Sequence, residues 1–214
     1  MPSYRLARVD GVSISTGNTK LGPIPSVSLA PQLSCSINGP RDCIRACYAR
    51  KLARLRRHVA ASWESNARIW AETPLVYFGA IRKFLSQGNP DRFRWHVAGD
   101  IPTKAYYDSV ANIAVDFPKT RFLAFSKSYD ILARRLFIPS NLTVRVSAWP
   151  GLQWTMNRKR LEGRYAAAWV SHLKESDAGY TDTIPSDAAE CPGSCVSCDR
   201  CWDGNCRHVV FRAH

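Results

Sequence analysis

The residues best suited to chemistry in this chain are its eight cysteines. Five of them, Cys191, Cys195, Cys198, Cys201 and Cys206, fall within the stretch "CPGSCVSCDRCWDGNC". The run Cys195-x2-Cys198-x2-Cys201 has the spacing that lets successive thiolates curl around a compact iron–sulfide cuboid without backbone strain. A fourth ligand must come from outside the run. Cys191, followed by Pro192, is the first choice and Cys206 the alternative. A zinc site also uses C-x2-C pairs, but as two pairs set apart rather than three thiols in one run.

The other three cysteines lie in "CSINGPRDCIRACYARK", as Cys35-x7-Cys43-x3-Cys47. Three thiolates on a four-iron cluster leave one iron without a protein ligand, and an open iron can bind a small molecule. A structural zinc completed by His58 or another residue is the competing use of the same three thiols. The eight thiols then sum in two ways. An open cluster plus a closed one, with Cys206 spare, suits an enzyme. Two closed clusters, one completed by a C-terminal cysteine crossing over, suit an electron carrier.

Around these thiols a few polar residues fall where ligands bind. Asp100 follows Gly99, a residue that lets backbone approach a ligand closely. Lys127, between Ser126 and Ser128, can hold a carboxylate or a phosphate, and Trp149-Pro150 can line the mouth of a site. Gly99, Asp100, Ser126 and Lys127 are therefore the candidate cofactor-binding residues. His96 reads as a structural histidine rather than a ligand. Arg45, Arg50, Arg54 and Arg57, with Lys51 and Arg56 beside them, form a cationic helix face that is either solvated or a phosphate contact.

The elements that position these groups follow from periodicity. One apolar stripe runs from Tyr48 to Trp70 and a second from Leu75 to Leu85, ending at Gly88. Strands are expected at 26–30, 93–100, 121–126, 142–149 and 166–172, with an edge strand at 208–214. Helices are expected after Thr103, which can cap one, and over 129–137. Residues 1–25 and 173–190 read as irregular. Strands alternating with helices predict an α/β fold, an open or partial parallel β/α barrel with a C-terminal Cys-rich cluster-binding segment. The carboxyl ends of its strands would gather the Cys35–Cys47 loop, Gly99-Asp100, Ser126-Lys127-Ser128, Ser147 to Trp149, and His172. Residues 1–190 form the core and 191–214 the Cys-rich segment and closing strand, together one integrated domain.

Composition bounds the rest. The 214 residues are 45% hydrophobic, with a formal net charge of +13, so nucleic acid and other anions are candidate partners. The N-terminus shows no apolar signal region and no apolar run approaches a membrane span. A cytoplasmic location follows, where thiols stay reduced and eight cysteines point to metal or redox chemistry.

A three-cysteine loop after the first strand, ending in Cys-Tyr-Ala and running into a helix, resembles the radical S-adenosylmethionine superfamily. That resemblance implies a [4Fe–4S] cluster on Cys35, Cys43 and Cys47, with S-adenosylmethionine on its open iron and "AGD" at 98–100 beside the cofactor's amino group. The spacing here is wider than the superfamily's usual C-x3-C-x2-C. More closely, the chain resembles the phage "gene product 88" family, in "STGNTKLGPIPSVSLAP", "CYARK", "FRWHVAGD", "SCVSCDRCW" and "VVFRAH", over about residues 13–214. This family resemblance implies a phage or prophage origin, hence the host cytoplasm, and the cysteine pattern, but no reaction. Three readings result: a radical S-adenosylmethionine-like protein with one or two [4Fe–4S] clusters and a redox donor, a non-catalytic electron-transfer or redox-sensing protein, and a zinc-bearing nucleic-acid-binding protein.

Overall fold

The structure, a computed structural model, describes residues 4–35, 43, 47–149, 152–171 and 184–212. It opens on a hairpin, β1 (Leu6–Val9) and β2 (Val12–Ser15), in antiparallel register from Leu6 opposite Ser15 to Val9 opposite Val12. Asp10 and Gly11 make the turn with φ of 47° and 86°. Both positive values match the type I′ turn that a right-twisted hairpin prefers, and Asp-Gly is its usual pair. Short strand β3 (Ser26–Val27) follows, then α1 (Pro31–Ser34), α2 (Tyr48–Leu55), α3 (Arg57–Glu72) and α4 (Pro74–Gly88). From there strands and helices alternate: β4 (Arg92–Trp95), α5 (Lys104–Asp116), β5 (Arg121–Ser126), α6 (Tyr129–Leu132), β6 (Leu142–Ala148), α7 (Leu152–Leu161) and β7 (Ala166–Ser171). The chain closes with β8 (Ala189–Glu190) and β9 (His208–Arg212).

All nine strands form one sheet in the order β1-β2-β3-β4-β5-β6-β7-β9-β8, parallel from β3 onward. From β3 to β7 the order only advances, so crossovers of the usual right hand put every helix on one face. The packing agrees. Phe93 and Trp95, Phe122 and Ala124, and Val144 and Val146 alternate with outward neighbours and share a core with Ile81, Val110, Leu132 and Trp154 of the helices. At β8 to β9 the order steps backward, and a crossover of the same hand must then lie on the other face. That crossover is the cysteine segment. Cys201 and Trp202 pack with Leu123, Val209, Leu21 and Ile24 in a second, smaller core on the helix-free face.

The parallel α/β expectation holds, but the sheet is open, with β1 and β8 as its edges, and the reversal at β9 is what a closing barrel would not do. Strand β9 is interior, between β7 and β8, where an edge strand was expected. The stripe from Tyr48 to Trp70 is two helices, broken where Arg56 takes φ −130° and ψ 83°. The strand expected at 93–100 stops at Trp95, because His96 has φ 55°. The helix expected over 129–137 ends at Leu132. The hairpin within 1–25, α7 and β8 were not foreseen. Thr103 does cap α5, its hydroxyl accepting from the Tyr106 N–H at 3.1 Å, a bond worth about 1 kcal/mol. Among the described residues no helix is long and apolar enough to cross a membrane.

Candidate functional site

The parallel strands end on a common rim. After β4 the chain turns through His96 and reaches Gly99, whose φ is +87°. A Cβ there would lie 2.5 Å from Ser34 Oγ and 2.7 Å from the Leu29 carbonyl oxygen. Only glycine lets this backbone press against the end of β3 and α1. The approach brings Asp100 beside Ser34, whose hydroxyl accepts from the Asp100 N–H at 3.3 Å, and so beside Cys35.

Asp100 is buried. Its carboxylate accepts from the Ile101 N–H at 2.7 Å, the Lys127 N–H at 2.8 Å and the Ser126 hydroxyl. Burial still outweighs these bonds and pushes its pKa up. The Lys127 ammonium hydrogen-bonds the Cys43 sulfur and stands 5.4 Å from the Trp149 ring centre. Desolvation works against its charge, but Cys43, Asp100, Cys35 and Tyr48 outweigh that and raise its pKa. Cys35 is exposed as a residue, yet desolvation of its thiol, then the Asp100 carboxylate, push it up to about 12. Cys43 is raised too, by burial first, with Lys127 pulling the other way. These thiols stay protonated near neutral pH until something cationic binds them.

The C-terminal segment is fixed to the helix-free face by its backbone. Cys191 N–H donates to the Val210 carbonyl at 2.9 Å and Cys195 N–H to the Lys20 carbonyl at 2.8 Å. From the middle of β6, Arg145, fully buried, donates Nε to the Cys201 carbonyl at 3.0 Å. Its Nη2 donates to the carbonyls of Arg200 at 2.5 Å, Asp203 at 3.2 Å and Cys206 at 2.6 Å. Arg94, on the same face of β4, stacks over the Phe125 ring at 4.3 Å. Burial lowers its pKa, against the opposing pull of Tyr48, Cys201 and Cys195. Arg94 thus lies between the C-terminal thiols Cys195 and Cys201 and the Tyr48 ring at the start of α2.

Gly99, Asp100, Ser126 and Lys127 therefore meet at one place, together with Cys35 and Cys43. Cys191, Cys195, Cys198, Cys201 and Cys206 share the second face. All eight cysteines lie among the described residues and none is in a disulfide. Among the described residues, no three His, Cys, Asp or Glu side chains are gathered tightly enough to hold one metal ion. His96 is buried, with Nε2 2.8 Å from the Tyr106 hydroxyl. His58, Arg50, Lys51, Arg54, Arg56 and Arg57 are exposed. Arg45, Pro150 and His172 lie outside the described residues. Sequence reading missed Arg94, Arg145, Ser34 and Tyr48. The signal was there for the two arginines: a cation in the middle of an interior parallel strand, where both faces are covered.

What this geometry defines is an open, mostly parallel α/β protein with thiols, an acid and a lysine at its carboxyl rim and a thiol-rich crossover on its helix-free face. The chain belongs to the gene product 88 family, whose model matches residues 10–204. No curated protein and no solved structure matches it.

Proposed function

We propose that this protein is an iron–sulfur protein of phage origin acting in the host cytoplasm. In this reading Cys35, Cys43 and Cys47 hold a [4Fe–4S] cluster with one open iron, and the C-terminal cysteines hold a second. Such clusters supply one-electron chemistry when bound. The observation that carries the reading is the placement of Lys127 and Asp100 against Cys35 and Cys43. A zwitterionic ligand such as S-adenosylmethionine presents an ammonium and a carboxylate. Asp100 is the chain's acceptor for the first and Lys127 its donor to the second, with Gly99 giving backbone access. Burial of the acid strengthens such contacts by excluding water.

The donor type, thiolate sulfur, suits the group, although the described thiols are not gathered around a single point in this structure. Thiolates are the usual ligands of iron–sulfur clusters, and two buried arginine nitrogens near the thiols, Arg94 Nε and Arg145 Nη1, lack a hydrogen-bond partner. A non-catalytic electron carrier supplied by a redox donor is the second reading, favoured by the buried Arg94 charge beside Cys195 and Cys201. Anaerobic purification with iron, sulfide and zinc quantitation is the test. Near eight iron per chain supports two clusters, and about four supports one. Colourless protein with zinc overturns the reading and brings the zinc-bearing nucleic-acid protein forward, with its net charge of +13. Titration with S-adenosylmethionine separates the first two. Binding that Lys127→Met and Asp100→Asn weaken supports the open-iron rim, and no binding to iron-loaded protein supports the carrier.

A further inference from the structure

From Cys47 to Trp63 the chain holds five cations, Arg50, Lys51, Arg54, Arg56 and Arg57, and no acid. The other 25 cations are spread among all 17 acids. The structure gathers this local excess on one surface. Helix α2 turns Ala49 inward, keeps Leu52 and Ala53 half-buried, and lies against α3. Arg50, Lys51 and Arg54 are exposed on its other side. Arg56 and Arg57 are exposed where the chain breaks between α2 and α3.

Several cations elsewhere face a carboxylate: Lys83 pairs with Asp10 at 2.9 Å, Arg92 with Asp199 at 2.7 Å, Lys104 with Asp108 at 2.6 Å and Arg212 with Glu190 at 2.6 Å. Among the described residues, no carboxylate lies within ion-pair distance of Lys51, Arg54, Arg56 or Arg57. The clustering also works against the local fold. Arg50 and Arg54 stand at i and i+4, and Lys51 and Arg54 at i and i+3, where like charges repel. Arg56 and Arg57 take the N-cap and first position of α3, with no side-chain cap and no acid in the first turn. A helix dipole disfavours cations at that end. Folding gains nothing from this arrangement, and a polyanion laid across it relieves every one of these repulsions.

We propose that the exposed face of α2, continued by Arg56 and Arg57, is a docking surface for duplex nucleic acid, which it holds through the phosphates whatever the base sequence. Four of the five cations are arginines, whose planar fork matches a phosphate. Proteins that bind single strands stack bases on aromatic rings set among the cations, and no aromatic Phe, Trp or Tyr lies between Arg50 and Arg57. A bilayer needs a broad apolar face, and the large apolar side chains that α2 exposes are Tyr48 and Leu55, at its two ends. An acidic protein would answer the patch alone. The rest of the chain is itself net positive, so a long polyanion is attracted beyond the patch as well. Arginine and lysine donate hydrogen bonds and accept none, so the surface offers a 2′-hydroxyl no acceptor, and duplex DNA and duplex RNA bind alike.

The test is fluorescence anisotropy of a labelled DNA duplex of about 20 base pairs with the full chain as purified, between about 50 and 200 mM salt. Five phosphate contacts give a log–log salt slope of about −4 to −5. Lys51→Gln, Arg54→Gln and Arg57→Gln combined weaken binding at least about 10-fold and make the slope shallower by about 3. Lys83→Gln, Lys104→Gln and Arg212→Gln combined remove the same net charge elsewhere and change affinity by less than about 3-fold. The urea midpoint and metal content of each sample separate a lost contact from a lost fold or a lost cluster. Equal weakening in the two triple variants, or no duplex binding by the wild type at the lowest salt, overturns the proposal. Tighter binding of a single strand, of polyglutamate or of anionic vesicles than of the duplex overturns the choice of occupant. Duplex binding by protein that carries no iron supports this surface while the iron–sulfur reading fails.

Discussion

His96 should make this protein sensitive to mild acid. Its ring is 2% exposed, packed between Trp95 and Tyr106, with Nε2 hydrogen-bonded to Tyr106, whose hydroxyl lies 3.0 Å from that of Tyr77. Burial, and then the Arg94 charge, lower its pKa to about 3 from an ordinary 6.5. The unfolded chain therefore takes up a proton that the native chain refuses. Stability from this group is full above pH 6.5 and is lost as pH falls toward 3. At about 1.4 kcal/mol per pH unit, the loss is about 2 kcal/mol by pH 5 and about 5 kcal/mol once pH 3 is passed. Urea unfolding at pH 7.5, 6 and 5, on samples of equal metal content, measures it. His96→Asn is the control, because asparagine tolerates the positive φ. That variant loses the Tyr106 bond and is less stable at every pH, but its stability falls less steeply between pH 6.5 and 5. Asp100 titrates with the opposite sign in both proteins and drops out of the difference. Equal slopes in the two proteins would refute the assignment of the acid sensitivity to His96.

Three further outcomes follow from the rim. Gly99→Ala places a Cβ against the Leu29 carbonyl at positive φ and should cost about 2–3 kcal/mol, read as a lower urea midpoint at unchanged slope. Asp100→Asn and Lys127→Met should move the thiols in opposite directions. Removing the carboxylate lowers the Cys35 pKa and speeds its alkylation in metal-free protein at pH 8.5, while removing the ammonium raises Cys43 and slows it. Metal loading should tighten with rising pH, because thiols raised to about 12 at Cys35 and about 11 at Cys201 must each give up a proton. Chelator competition at pH 7 and pH 9 reads this, and equal affinities would mean that these thiols are not ligands.

Strand β5 was legible to the residue, because Phe122 and Ala124 face one core and Leu123 and Phe125 the other in a short apolar run. The capped start of α5 was legible from Thr103, and the end of α4 from Gly88 followed by Asn89 in the left-handed conformation. The opening hairpin was missed, although Asp10-Gly11 marks its turn, because its four-residue strands alternate too briefly to stand out. The break at Arg56 leaves no mark, since neither proline nor glycine is present and the apolar stripe runs through it. The rim residues could be picked from strand ends alone. Arg94 and Arg145 could not be placed without knowing that the cysteine segment covers their face, and that depends on the order of β8 and β9, which no local pattern encodes.

That order also constrains how the protein is made. Strand β9 follows the cysteine segment in the chain and must slot between β7 and β8. Until it emerges from the ribosome, β7 has an unpaired edge, a template for mispairing with another chain. The cysteine segment meanwhile has no strand to return to, and Arg145 has no carbonyls to grip. Each nascent chain therefore passes through a stage in which five thiols are translated but unplaced.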